Sequence, residues 1–419
     1  MKFTLPEDTF PAVNLSKEKQ AALIDDAATV VRETIAANEE FLACGATFQD
    51  SRWKLLRAKE GLSVYRQRRS KPTVLDNGPS PSSPQSKSSS WSFRRRGRAG
   101  SDTRWTDGEA SPTGNSIQDK LKRSGVSLMV LHGTVDGSLA DCMFGTFASS
   151  NQAWMWRSSH VNDRLDDARI LATIRKPTQS DPFRFLGIKW FAKEHPSVLS
   201  GIVQQRDFLI MEATGLTRDS RGEMVGYSLM HSVSLPEVPV LSDMGIVRGN
   251  LSLCFIDRQS GPGKVELYCR GFSDPCGAML DRVSVAIASE ALICAVGVVD
   301  YAYIKKLTWL MKHKGVSQQR DASTPRPTRC SNCCKSFTKF VLTGAVSGAP
   351  CQICRRVVCG KCSLVKKMTV DVSSTGSVKK CPLRFCVGCL LEAKEKSVWE
   401  LALSGVETSS RCSSTPSSG

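Results

Sequence analysis

Four Cys-x-x-Cys pairs in the last quarter of the chain constrain its fold more than any other feature. Ten of the 17 cysteines lie between residues 330 and 389. A Cys-x-x-Cys turn lets two thiolates reach one metal ion, and four sulfurs complete a tetrahedral Zn²⁺ shell. No secretion signal is visible at the N-terminus, which favours metal ligands over disulfides. The pairs predict two structural zinc ions, and their members are Cys330/Cys333, Cys351/Cys354, Cys359/Cys362 and Cys386/Cys389.

The spacing also predicts how the ligands divide between the two metals. Only four residues separate the second pair from the third, so sequential pairing would crowd the ions. We therefore expect a cross-brace, in which Cys330, Cys333, Cys359 and Cys362 bind one ion and Cys351, Cys354, Cys386 and Cys389 bind the other. Cys334 and Cys381 are left over, and either could replace a ligand.

This pattern resembles the FYVE zinc finger. The four-residue spacer, Lys335-Ser336-Phe337 after the first pair and Arg384-Phe385-Cys386 at the last all fit that family. A RING finger is also cross-braced but usually has a histidine, and none occurs here beyond His313. The resemblance implies membrane contact, for which the candidate residues are Arg384, Arg355, Arg356, Lys366 and Lys367 and the apolar turret Phe340, Val341 and Leu342.

Two departures from the FYVE pattern affect the expected ligand. The family has a basic Arg-His-His-Cys-Arg segment at the third ligand, where this chain has Gly348-Ala349-Pro350-Cys351-Gln352. The upstream Trp-x-x-Asp element is also missing. Of the headgroup-contacting set only Arg384 remains, so we expect binding to anionic membranes without specific recognition of phosphatidylinositol 3-phosphate.

The larger part of the chain reads as a mixed α+β domain. Residues 16–44 have the apolar spacing of a helix, and 139–148 and 152–157 are shorter helical candidates. Between residues 127 and 272 the apolar period is close to two, as in half-buried antiparallel strands. The strand candidates are Ser127–Val135, Phe183–Ala192, Asp207–Ala213, Met224–Leu235, Met244–Ile256 and Lys264–Phe272.

The last element of this domain is predicted to be one long helix. Asp274-Pro275 supplies a capping residue and a first-turn proline, and apolar residues then recur every three or four positions to Met311. Glu290 and Asp300 interrupt its most apolar stretch, so we expect no transmembrane helix. A curved antiparallel sheet closed by a long C-terminal helix is a helix-grip fold, and its concave face can enclose an apolar cavity.

This domain resembles a START domain. The matching segments, in the family's order, are Trp53 with Leu62-Ser63-Val64-Tyr65, then Arg206-Asp207-Phe208-Leu209, Val247-Arg248-Gly249 and Asp274-Pro275-Cys276-Gly277. The resemblance implies a lipid, sterol or phospholipid in an enclosed tunnel, and no catalysis.

The charge distribution completes the predicted domain map. The formal charge is +17, and residues 312–419 alone hold 18 Lys and Arg against 6 Asp and Glu. A second basic segment, 67–123, is rich in Ser, Pro and Arg and is predicted to be a disordered insertion. The expected parts are an N-terminal segment (1–15), a START-like domain (16–313), a linker (314–328), a zinc finger (329–395) and a disordered tail (404–419).

These features predict a cytoplasmic, non-enzymatic lipid-binding or lipid-transfer protein, on endosomal membranes if the zinc finger binds them. The alternative is a protein-interaction adaptor, in which the zinc module binds a partner and the START-like domain is a scaffold. The five histidines form no motif with a nucleophile, and acidic pairs such as Asp166-Asp167 read as solvated, so no catalytic residues are predicted. Near the predicted zinc sites, aromatic residues do not alternate with the basic ones, which disfavours nucleic acid.

Overall fold

The computed structural model describes residues 3–48, 51–68, 116–193, 204–314, 327–337, 348–372 and 378–412, with side chains to residue 405. The basic cluster at 94–98 lies outside these ranges. In chain order the first, larger body contains α1 (Lys17–Ala43), β1 (Trp53–Lys59), β2 (Leu62–Gln67), α2 (Ile117–Leu121), β3 (Met129–Asp136), α3 (Leu139–Thr146), α4 (Asn151–Val161), β4 (Leu165–Arg175), β5 (Phe185–Lys193), β6 (Arg206–Arg218), β7 (Met224–Ser232), β8 (Val247–Arg248), β9 (Asn250–Gln259), β10 (Lys264–Asp274), α5 (Asp281–Ile293) and α6 (Val298–Lys314). The metal module contains β11 (Gly348–Pro350), β12 (Val357–Cys359), β13 (Ser363–Val372), β14 (Val378–Cys386), α7 (Val387–Glu395) and α8 (Val398–Cys412).

The body is built on one large antiparallel sheet. Its strand order is β1-β2-β3-β10-β9-β7-β6-β5-β4, and the short β8 joins it in parallel beside β6. The central strands are buried on both faces, and eight of the nine residues of β5 are buried. One face packs on α1 through Leu23 and Val30, while the other faces α5, with Leu131 and Leu292 in the same apolar cluster. The predicted α+β architecture of a sheet gripped by a C-terminal helix is therefore present.

The C-terminal helix differs from the prediction in its start and its continuity. β10 continues to Asp274, and Cys276 and Gly277 then have φ values of 53° and 62°. Left-handed residues stop helix propagation, so α5 begins only at Asp281. A 3₁₀ turn at Cys294–Gly297 then separates α5 from α6.

The same helical run is long and apolar enough, by length and composition, to cross a membrane. It is the one such run, Asp281–Lys314, in the part of the chain that the structure describes. Core helices of folded domains pass the same test. Here its apolar residues pack on the sheet through Leu292 and on the metal module through Ile304 and Leu307.

Four further predictions are corrected by the structure. Strand β4 was not predicted, and Asp166 and Asp167 lie in it, largely buried rather than solvated. Helix α2 lies within the segment predicted to be disordered, where Ser116 accepts a hydrogen bond from the Asp119 N–H and so caps the helix. Helix α8 extends into the tail predicted to be disordered, and its Trp399 ring contacts Phe183.

Candidate ligand cavity and metal centres

A cavity of about 480 Å³ lies between the sheet and α5. Alternate residues of a strand point to the same face, so β9 presents Leu251, Leu253 and Phe255 to this space. Other apolar side chains from the neighbouring strands complete this wall. They are Met230 on β7, Phe208 on β6, Phe191 on β5 and Met129 on β3.

Part of the opposite wall consists of small residues of α5. Ser284, Ala288 and Ala291 line the cavity at spacings of four and three, which places them on one side of the helix. The larger Ile287 and Leu292 line it beside them.

Ion pairs surround the outer part of the cavity. Arg57 of β1 pairs with Glu290 of α5 at 2.5 Å, and Lys193 of β5 pairs with Asp163. Arg57 and Glu290 are about half exposed, so their pair adds little to stability. Arg206 is 3% exposed, and its guanidinium donates to the carbonyls of Gln204, Pro275 and Cys276. Burial lowers the pKa of Arg206.

A second space of about 80 Å³ adjoins this cavity, and we call it the deep end because several of its lining side chains, including Glu212 and Asp257, are almost fully buried. It shares Asp163, Met230, Phe255, Ala291 and Cys294 with the larger space. Its lining also includes polar side chains that the larger space lacks. These are Cys142, Thr146, Arg157, Glu212, Ser228 and Asp257.

A buried ion pair stands beside the deep end. Lys189 Nζ donates to Glu212 Oε1 at 2.5 Å and to the carbonyl of Ala148 at 2.9 Å, and both side chains are almost fully buried. The Lys189 ammonium also lies 4.6 Å from the ring centres of Trp154 and Phe185. Burial lowers the pKa of Lys189 to about 8.

A buried carboxyl group lies on the β9 side of the deep end. The Cys142 thiol donates to Asp257 Oδ2 at 3.1 Å, and Asp257 is 2% exposed. Burial raises the pKa of Asp257 to about 6. Asp257 Oδ1 and Glu212 Oε2 have no hydrogen-bond partner within the described ranges.

The metal module brings its cysteines together in the predicted cross-brace. Within each group the four sulfur atoms lie within 4.8 Å of one another, close enough to hold one metal ion. One group is Cys330, Cys333, Cys359 and Cys362, and the other is Cys351, Cys354, Cys386 and Cys389.

The surroundings of both groups suit thiolate ligands. The Cys359 N–H donates to Cys330 Sγ, and the Cys386 N–H donates to Cys351 Sγ, each at 3.3 Å. All cysteines whose side chains are described are free of disulfides, and the Cys333 and Cys359 sulfurs are 3.8 Å apart. The donor set of four sulfurs is one that zinc favours.

The two leftover cysteines are in neither group. Cys334 is exposed with a φ of 57°, and Cys381 is half-buried on β14, opposite Met368. Among the cysteines of the body, Cys142 and Cys254 are buried. Cys44 is exposed, because it follows the last turn of α1.

The predicted membrane residues within the described ranges differ in their contacts and exposure. Lys366 forms an ion pair with Asp300 of α6 at 2.9 Å, so its charge is paired with one of the body. Arg384 donates to Ser363 Oγ and Arg355 to Gln352 Oε1, whereas Arg356 and Lys367 are exposed. Phe340, Val341 and Leu342 lie outside the described residues.

The hairpin of β13 and β14 instead packs against α4 of the body. Ser159 Oγ lies 2.8 Å from Thr369 Oγ1, and the Thr369 N–H donates to His160 Nε2 at 3.4 Å. His160 Nδ1 lies 2.9 Å from the Trp156 carbonyl, so the neutral ring satisfies both contacts. Tyr303 of α6 donates to the Leu390 carbonyl at 2.8 Å. The metal module and the body therefore share one interface.

Sequence reasoning missed the polar residues of the deep end. Lys189, Glu212 and Asp257 each interrupt an apolar strand at an inward-facing position. A charged residue at such a position is the signal that could have identified them, because charges are buried only when function or pairing requires it. Only the register of the sheet shows which of them face the same space.

The solved structures that are similar to this chain share little sequence identity with it. No family model and no curated protein matches the chain. Among solved structures, human STARD10 has 11% identity and a TM-score of 0.36, over 66% of this chain and 82% of that one. Human StAR-related lipid transfer protein 5 has 14% identity and a TM-score of 0.39, over 68% and 99%. The lipid transfer and protein localization domain of human StarD13 has 11% identity and a TM-score of 0.34, over 63% and 94%.

Proposed function

We propose that this chain is a non-enzymatic lipid-binding protein that takes one lipid or sterol into the cavity between the sheet and α5. The cavity itself is the observation that carries the proposal. Ligand sites are typically concave, mostly apolar spaces of about 300–1,000 Å³ with a few placed polar groups. This cavity has that size, apolar walls and a polar deep end.

The volume limits the size of the occupant. A volume of about 480 Å³ lies in the lower half of the range for small-molecule sites. It suits a single alkyl chain or a compact ring system better than a two-chain phospholipid.

The test is lipid uptake by the full chain. Delipidated protein is incubated with mixed liposomes, re-isolated and extracted for mass spectrometry. We expect about one lipid per chain, and much less for Ala291→Phe, which fills the cavity. The control is Leu280→Phe, because Leu280 is 76% exposed just outside α5. Absence of any bound lipid from the unmodified chain would overturn the proposal.

We propose further that each cysteine group holds one structural Zn²⁺. Four sulfur ligands close the coordination shell, which leaves no position for a reacting water. Bound zinc would supply only cross-links between distant segments. Cys362 directly precedes β13 and Cys386 ends β14, so the two groups hold both strands of the hairpin at its open end, where Ser363 pairs with Cys386.

The metal module would attach the protein to an anionic membrane. Arg356, Lys361, Lys367 and Lys379 are exposed, and a basic residue near an anionic leaflet contributes about 1 kcal/mol. We expect sedimentation with phosphatidylserine liposomes that falls with salt and weakens in Lys367→Glu/Lys379→Glu. Adding phosphatidylinositol 3-phosphate to the same liposomes tests whether the protein prefers that lipid. Imaging in cells tests whether it is located on endosomes.

The module also has a feature that favours a protein partner. Val387 and Leu391 are 41% and 53% exposed, and they stand four residues apart on α7. Residues at that spacing share one helix face, and an apolar face suits a protein surface. Failure to bind any anionic liposome at any salt concentration would favour this adaptor function over membrane attachment.

A further inference from the structure

The deep end contains buried hydrogen-bond acceptors that nothing in the described chain satisfies. Asp257 Oδ1 and Glu212 Oε2 both lack partners, and their side chains are 2% and 1% exposed. Leaving a buried polar atom without a partner costs about 1–3 kcal/mol, and more for a charged group. Both residues line the same small space. A ligand that reaches this space would complement them with hydrogen-bond donors.

The charges around Asp257 indicate which kind of donor fits best. The ammonium of Lys189 is already bound by Glu212, and Arg157 donates to the carbonyl of Thr146. Arg258, the next residue in β9, lies on the opposite face of the strand and pairs with Asp219. Within the described ranges, the only side chain that donates to Asp257 is a neutral thiol, that of Cys142.

A carboxylate without a counter-charge is costly to bury, and a cation supplied by a ligand would remove that cost. On the basis of the proposed lipid cavity, we propose that the deep end binds the protonated amine of a compact, single-chain amphiphile. Asp257 is its counter-ion, and Glu212 and Ser228 lie along the same space. The alkyl chain extends into the larger, apolar part of the cavity.

The pH dependence follows from Asp257. Burial raises its pKa to about 6, so protonation below that pH removes the counter-charge while the amine keeps its own. The groups near Asp257 on other elements are Cys142 on α3 and Cys269 on β10, both raised in pKa by burial and therefore neutral at pH 5–8. Arg157 on α4, Asp163 after α4 and Glu212 on β6 line the same space, as does Cys294 after α5, whose pKa burial raises to about 11. Cys254 lies on β9 itself.

The test compares three ligands of equal chain length on the delipidated full chain. Hexadecylamine, hexadecanol and hexadecanoic acid are titrated against a bound fluorescent probe at pH 7.5 and pH 5. We expect the amine to bind at least tenfold more tightly than the acid at pH 7.5, and this preference to shrink at pH 5. Asp257→Asn should lower amine affinity at least tenfold and leave alcohol affinity within threefold. The control is Asp136→Asn, because Asp136 is exposed at the end of β3, where it pairs with Lys264.

The outcomes separate this inference from the lipid-binding proposal. If the acid binds as tightly as the amine, Arg157 holds the head group and the inference is wrong, although the cavity still binds lipid. If Asp257→Asn keeps the amine preference, Asp257 is not the counter-ion. If none of the three ligands binds and no lipid is taken from liposomes, both proposals fail. Thermal unfolding shows that each variant is folded, and Asp257→Asn should be at least as stable as the unmodified chain.

Discussion

The buried pair beside the deep end gives the sharpest test of how this fold tolerates charge. Lys189→Met removes the ammonium that Glu212 contacts at 2.5 Å. Glu212 is 1% exposed, so it cannot turn to water and is left without a counter-charge. Breaking a fully buried pair from one side typically costs about 3–5 kcal/mol. We expect Lys189→Met to lower the free energy of unfolding by that amount.

The double variant Lys189→Met/Glu212→Leu should behave very differently. Replacing both partners of a buried pair by apolar residues is often neutral, or stabilising by about 1–4 kcal/mol. The assay is urea unfolding at pH 7 and constant zinc, followed by tryptophan fluorescence. Lys264→Met is the control, because Lys264 is 56% exposed in its pair with Asp136 and should matter by less than about 1 kcal/mol. A cost below 1 kcal/mol for Lys189→Met, or a double variant less stable than Lys189→Met alone, would refute the reasoning.

Three further predictions concern the metals, the interface and helix packing. The full chain should contain two zinc ions per molecule by elemental analysis, and Cys330→Ser or Cys351→Ser should each reduce this to about one. Burial lowers the pKa of His160, so the unfolded chain binds the proton more readily and stability should fall as pH drops below about 6.5. His160→Gln should flatten that dependence in thermal unfolding curves at pH 5–7.5. A Cβ on Gly145 would meet the Val298 carbonyl oxygen at 1.9 Å, so Gly145→Ala should destabilise by about 1–3 kcal/mol. Gly388→Ala, with open space around its Cβ, should not destabilise.

The sequence predicted the metal module well because its signal is local and chemical. Ligand spacing alone gave the cross-brace, since four residues between two pairs cannot serve two adjacent ions. It also predicted the α+β sheet and most of its strands from their period of two. Strand β4 was missed because Asp166 and Asp167 made its start look solvated, whereas Asp167 accepts from the Leu5 N–H and from Arg169.

The contacts of the basic residues in the metal module were not predictable from the sequence. Lys366 and Arg384 are basic in the sequence, yet the first is bound by Asp300 and the second donates to Ser363. A charged side chain near a zinc finger can face a membrane or the rest of its own chain, and sequence does not distinguish the two. The contact between Lys366 and Asp300 of α6 is visible only in the tertiary structure.

By itself the sequence predicted the two cysteine groups and the α+β class, because both depend on spacing along the chain. Tertiary structure decided where α5 begins, which cations remain exposed and how the metal module meets the body. It alone brought Lys189, Glu212 and Asp257 to one end of the cavity, from three different strands. Residues far apart in sequence become neighbours only through the register of a sheet, and that register is a property of the whole fold.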